Sequence, residues 1–167
     1  MEQAISLNKK LAVSLSQFSL ILAVMYFAPF LQNQLLTGTI VNASLLVAVM
    51  LLGLRGAAVL AFMPSVISLF TGLLSPAMAP MVPFIIMSNI ILITMFSMLK
   101  EKNYWMGAIS GAILKFAFLS LTSSFVIGLF VKPEVAAKIA VMMSWPQLVT
   151  ALLGGIIAYG VYLKKRS

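Results

Sequence analysis

Six apolar runs follow one another along the chain, separated by short polar or glycine-bearing breaks. They cover about 11–30, 40–53, 57–74, 82–99, 104–131 and 141–163. Most approach the roughly 20 residues needed to cross the hydrocarbon of a bilayer as a helix. The breaks are QNQLLTGT at 32–39, read as a polar turn, and Gly53-Leu54-Arg55-Gly56, a tight connection. Lys100-Glu101-Lys102-Asn103 is a charged turn and KPEVAAK at 132–138 a last polar loop. Residues 1–10 are polar, and the run after them is too long for the core of a cleaved signal, so it reads as a retained helix. No soluble domain, linker, low-complexity tail or internal repeat interrupts the pattern. It predicts an all-α integral membrane protein: one membrane domain, 1–167, built as a six-transmembrane-helix bundle.

One apolar stretch departs from helical regularity. Residues 64–89 contain Pro64, Pro76, Pro80 and Pro83, four of the chain's seven prolines. Each removes a backbone donor and crowds the preceding turn, so the middle of this stretch cannot be a straight helix. Irregular backbone at membrane depth survives only where it is buried in protein or lines a cavity. The stretch is therefore expected to fold in as the lip of a binding site.

Composition strengthens the membrane reading. The chain is 62% hydrophobic and 8% charged, against about 25% charged in soluble domains, with a mean hydropathy of +1.13. The net charge of +8 does not form a basic stripe, which argues against nucleic-acid binding. The cations sit at segment ends instead. Lys9, Lys10, Arg55, Lys100, Lys102, Lys164, Lys165 and Arg166 fall on one side, and Lys132 and Lys138 on the other. The positive-inside rule then places both termini in the cytoplasm and the proline stretch, QNQLLTGT and KPEVAAK on the outer face.

Lys115 is the sharpest single residue. It lies eleven residues into the fifth run, about 16 Å from the inner end, where a lysine costs roughly 2.5–3.5 kcal/mol on insertion scales. No acidic residue lies inside any run. Lys115 either snorkels or bonds to carbonyls exposed in a neighbouring helix, or it faces a pocket and pairs with an anionic group. The pocket alternative predicts that Lys115→Met abolishes ligand binding and leaves the fold intact. Phe118 and Thr122 share its helix face. Asn89 lies about two turns into the fourth run, where an amide must be bonded. Trp145 and Gln147 flank Pro146; the first suits an interfacial anchor and the second can turn inward. Twelve methionines suit irregular cavities, and Met81 is the one placed at the site. The candidate substrate-binding set is thus Lys115, Asn89, Gln147, Trp145, Thr122, Phe118 and Met81. Gln32, Asn33 and Gln34 read as a solvated turn able to close over a ligand. Asn42-Ala43-Ser44 fits the glycosylation pattern but sits too near lipid to be used.

Absences exclude much chemistry. The chain contains no Cys, no His and no Asp, and its glutamates are only Glu2, Glu101 and Glu134. Thiol chemistry, metal sites built on Cys or His, catalytic triads and carboxylate-pair hydrolysis lack their groups, so no catalytic and no metal residue is assigned. On the first helix, Ala12-x-x-x-Ser16 and Ser19-x-x-x-Ala23 form small-residue stripes that let another helix approach closely.

Six spans, both termini inside, fewer than 200 residues and a proline-rich outer loop after the third span resemble the substrate-binding S components of energy-coupling factor (ECF) transporters. PSVISLFTGLLSPAMAPMVPF resembles the third-helix and outer-loop segment of uncharacterised S components. The stripes at Ala12, Ser16, Ser19 and Ala23 are similar to the Ala-x-x-x-Ala surface on which such proteins dock the shared transmembrane coupling subunit, with Ser at one position of each pair. The resemblance implies high-affinity binding of a vitamin or similar micronutrient from outside a bacterial cell membrane. It also implies two ATPase partner subunits that use ATP. This chain has no phosphate-binding Gly-Lys-Ser/Thr loop and needs no cofactor of its own. Without His or internal acids it departs from the cobalt, nickel and thiamine branches, and Lys115 points toward an anionic ligand. A self-sufficient carrier or channel, in which the internal lysine gates anions, is the alternative.

Overall fold

The structure, a computed structural model, describes residues 2–130 and 133–166, with side chains for 8–129, 133 and 135–166. Lys132 and the end of the run 104–131, given above, lie outside the described residues, as do the side chains of Glu2 and Glu134. Every regular element among the described residues is helical. In chain order these are α1 (Glu2–Phe27), α2 (Gln34–Phe70), α3 (Val82–Leu99), α4 (Tyr104–Phe130), α5 (Pro133–Met142) and α6 (Trp145–Arg166). Short 3₁₀ turns at Ala28–Leu31 and Pro76–Met81 precede α2 and α3. Five helical stretches are long and apolar enough to cross a membrane.

The longest, α2, has 37 residues. A straight helix of that length spans roughly 55 Å, nearly twice the hydrocarbon thickness. It is not straight: Gly53 has φ 74° and ψ 177°, outside helical values. A straight helix would also hold Asn42 and Ala61 roughly 28 Å apart. Instead Lys115 Nζ donates to both Asn42 Oδ1 and Asn89 Oδ1, and Asn89 Nδ2 donates to the Ala61 carbonyl. One lysine and one asparagine bridge the two halves, so the chain doubles back at Gly53. The φ/ψ pair at Gly53 is essentially glycine-only and costs another residue about 1–3 kcal/mol. An added Cβ would meet no atom within 4 Å there, so the penalty is purely conformational. Gly53→Ala should lower the thermal midpoint in detergent. Gly160→Ala, on an open helix surface, should leave it unchanged or raise it slightly.

Prolines act more locally than the sequence pattern predicts. Pro64 is accommodated within α2, which continues to Phe70. The irregular segment is confined to 71–81, with the last six residues in the 3₁₀ turn and Pro83 in the first turn of α3. Two polar segments expected as turn and loop are helical instead. Of QNQLLTGT, only Gln32 and Asn33 stay outside the helix; Asn33 caps α2 by accepting from the Leu36 N–H. KPEVAAK mostly forms α5, which begins at Pro133, a favoured first helical residue because its missing N–H would go unpaired anyway. Ile139 of α5 and Met143 just beyond it bury against Met78, Met81, Leu119 and Val126, forming a second small core. The main core joins α1, α2, α3, α4 and α6, with Met25, Leu45, Leu60, Leu92 and Phe96 fully enclosed.

Candidate functional site

Two polar assemblies lie within this apolar framework. The first is a chain of hydrogen bonds through the middle of the bundle. Lys115, 3% exposed, donates from Nζ to Asn42 Oδ1 at 2.6 Å and to Asn89 Oδ1 at 2.7 Å. Asn42 Nδ2 donates to Thr150 Oγ1 at 3.2 Å, and Thr150 Oγ1 donates to the Gln147 carbonyl at 3.2 Å. Asn89 Nδ2 completes the other arm by donating to the Ala61 carbonyl at 3.2 Å. The chain ties together both halves of α2, α3, α4 and α6. A lysine Nζ has only donors, so it selects the oxygen end of each amide and leaves the amide nitrogens to donate onward. No buried side-chain nitrogen or oxygen among the described residues lacks a partner.

Close helix contact makes this chain possible. A Cβ added at Gly154 of α6 would lie 2.7 Å from the Ala43 nitrogen and 2.8 Å from Asn42 Cβ. Glycine there lets α6 press against the backbone of α2, and Thr150, one turn earlier, comes within reach of Asn42.

The second assembly is a cavity of about 1070 Å³ at the end of the bundle where α2 begins. Its walls come from three places. Gln32, Gln34, Thr37 and Gly38 form one side, Ser68 and the 72–78 turn a second, and Val135, Lys138, Ile139 and Met142 of α5 a third. Gln34 Nε2 donates to the Met142 carbonyl at 2.7 Å, and Gln147 Nε2 donates to the same oxygen at 3.0 Å. These two amides hold the end of α5 to the starts of α2 and α6. Thr37 donates to the Ala28 carbonyl, fixing the 3₁₀ turn against α2. Among the described lining residues Lys138 is the only charged one; the rest mix amides and hydroxyls with Leu, Met, Val and Ile. The volume lies just above the roughly 300–1,000 Å³ usual for small-molecule sites.

The two assemblies adjoin. Gly38 lines the cavity and packs on Thr150 closely enough that a Cβ would come 2.9 Å from it. Asn42 lies one turn further along α2, about 6 Å deeper. Lys115 therefore sits beneath the cavity floor and not on its lining.

The residues singled out from sequence divide accordingly. Lys115 and Asn89 belong to the buried chain of hydrogen bonds. Thr122 donates to the Phe118 carbonyl of its own helix, Phe118 packs on the second core, and Met81 is wholly enclosed within it. Trp145 is 57% exposed and makes no wall of the cavity. Gln147 comes nearest, through its bond to Met142. None of the seven lines the cavity, whereas Gln32, Asn33 and Gln34 do. Thr37, Lys138 and Met142 were not legible as site residues, and Asn42 stood out only through its glycosylation pattern. The available signal was the cluster of amides and hydroxyls at 32–37, with Lys138 of α5 among the residues on the facing wall. Ala12, Ser16, Ser19 and Ala23 are all exposed along one side of α1. Among the described residues no group of three His, Cys, Asp or Glu could hold a metal ion. Compared with protein-family models, with curated proteins and with solved structures, the chain matches none.

Proposed function

We propose that this chain is a membrane-embedded solute-binding subunit whose ligand enters the cavity between the start of α2, the 72–78 turn and α5. The observation that carries the proposal is that cavity: large, mixed in polarity, and at the opposite end of the bundle from Lys100, Lys165 and Arg166. Counting the halves of α2 on either side of Gly53 separately gives six membrane crossings, with both termini on the cytoplasmic side by the distribution of Lys and Arg. The cavity then opens outward, as uptake of a scarce vitamin-like micronutrient requires. The exposed stripe at Ala12, Ser16, Ser19 and Ala23 offers a helix face for a transmembrane coupling subunit, and ATPase partners supply the energy, as in an ECF transporter. Lys138, facing a lining without described carboxylates, favours an uncharged or anionic ligand.

The test is thermal unfolding of the purified full-length chain against a panel of vitamins and amino acids. A ligand at 100 times its Kd should add about 2.7 kcal/mol of stability. Gln34→Leu should weaken that ligand by up to about tenfold, the worth of one hydrogen bond, while Trp145→Ala leaves it unchanged. A panel without any stabilising compound would remove the receptor reading. Solute flux in liposomes without partners or ATP would replace it with a self-sufficient carrier.

A further inference from the structure

The basic end of the bundle is more organised than topology alone requires. Lys100, Lys165 and Arg166 converge on one cavity of about 210 Å³, shared with Glu101, Tyr162 and Met50. Glu101 pairs with Lys100. That hydrogen bond holds the Glu101 carboxyl below the usual carboxylate range, and the charges of Lys165 and Arg166 act in the same direction. Three cations against one carboxylate leave the cavity with a surplus of positive charge. The geometry also fixes where the donors point. Lys165 donates to the Met50 carbonyl, which lies in the last turn before the Gly53 break, where helix carbonyls lose their intrahelical partners. Arg166 donates from Nη1 to Tyr162 Oη at 3.1 Å and lies 5.6 Å from the centre of that ring. Each interaction uses one N–H of its cation. Two remain on Lys165 and four on Arg166.

A volume of 210 Å³ is below the usual range for a whole small-molecule ligand, but it suits a phosphate-bearing headgroup whose tails stay outside. Tails have a surface to follow: Met98 and Leu163, near in sequence to these cations, are largely exposed. We infer that this cavity binds the headgroup phosphate of an anionic phospholipid, held by Lys165 and Arg166 between α6, the α3–α4 turn and the Gly53 break. Basic pockets between helix ends are a recurring form of lipid recognition.

The experiment uses the full-length protein in phosphatidylcholine nanodiscs containing a minor fraction of phosphatidylglycerol, with retained lipid counted by native mass spectrometry. Wild-type protein should retain phosphatidylglycerol in preference to phosphatidylcholine. Lys165→Ala with Arg166→Ala should weaken that preference roughly thirtyfold, the equivalent of about 1 kcal/mol for each cation. Lys9→Ala with Lys10→Ala removes the same charge from α1 and should leave the preference intact. Should the first pair fail to fold, Lys165→Gln, which keeps a donor for the Met50 carbonyl, should still reduce it. Equal losses in both pairs would reduce the effect to diffuse attraction and overturn the site. So would an unchanged preference in every variant. Displacement of phosphatidylglycerol by millimolar inorganic phosphate would reassign the cavity to a free anion and overturn the lipid assignment.

Discussion

Lys115→Met should make the α4 segment easier to insert into a membrane and the folded protein easier to unfold. The two effects have opposite signs because they concern different steps. Insertion gains roughly the 2.5–3.5 kcal/mol that a central lysine costs on insertion scales. Folding loses the donor that satisfies Asn42 Oδ1 and Asn89 Oδ1, both buried. Each stranded acceptor costs about 1–3 kcal/mol. The expected result is a thermal midpoint in detergent lowered by more than roughly 5 °C, at about 2–4 °C per kcal/mol for a chain of this size. A triple substitution tests the reason. Lys115→Met, Asn42→Leu and Asn89→Leu together remove donor and acceptors alike, and such replacements by apolar groups of similar shape are often near neutral. The triple variant should recover much of the loss. If it unfolds no later than Lys115→Met alone, stranded acceptors are not the cause.

Gly154→Ala should be the most damaging single methyl in the chain. The added Cβ would sit 2.7 Å from the backbone nitrogen of Ala43, which cannot rotate away as a side-chain tip could. The α2–α6 contact, the most extensive in the bundle, must open. Overpacking of this kind costs about 1–3 kcal/mol and occasionally more. Opening the contact also draws Thr150 from Asn42 Nδ2, so the substitution acts on the same hydrogen-bonded chain as Lys115→Met. Substitutions that share a network are not additive, and the double variant should lose less than the two single losses combined. Thermal unfolding of the four proteins in one detergent measures the coupling. Strict additivity would separate the glycine contact from the lysine.

Where the sequence marked boundaries chemically, it marked them well. The charged turn 100–103 and the start of α4 follow from residues that cannot stay in lipid, and Asn103 caps α4 by accepting from the Met106 N–H. The span 82–99 coincides with α3. The polar segments misread as turn and loop show the limit of that logic. Gln34 and Thr37 are tolerated in a helix because each finds a carbonyl from another segment, Met142 and Ala28. Nothing in QNQLLTGT announces such distant partners. Val135, Ile139 and Met142 do repeat at helical spacing behind Pro133, a signal outweighed by Lys and Glu nearby. The site was harder still. Hydropathy sets Lys115 deep within an apolar run but does not say which way it points, and its partner Asn42 lies 73 residues away. An alternation of polar and apolar residues ranks depth; it does not rank neighbours.

The order of residues around Lys115 has a consequence for how the chain is made. Asn42 and Asn89 both precede Lys115, whereas Thr150 follows it. Synthesis from the N-terminus therefore delivers both acceptors before the donor, so neither amide has its lysine until α4 is made. Thr150, which takes up the amide nitrogen of Asn42, comes after all three.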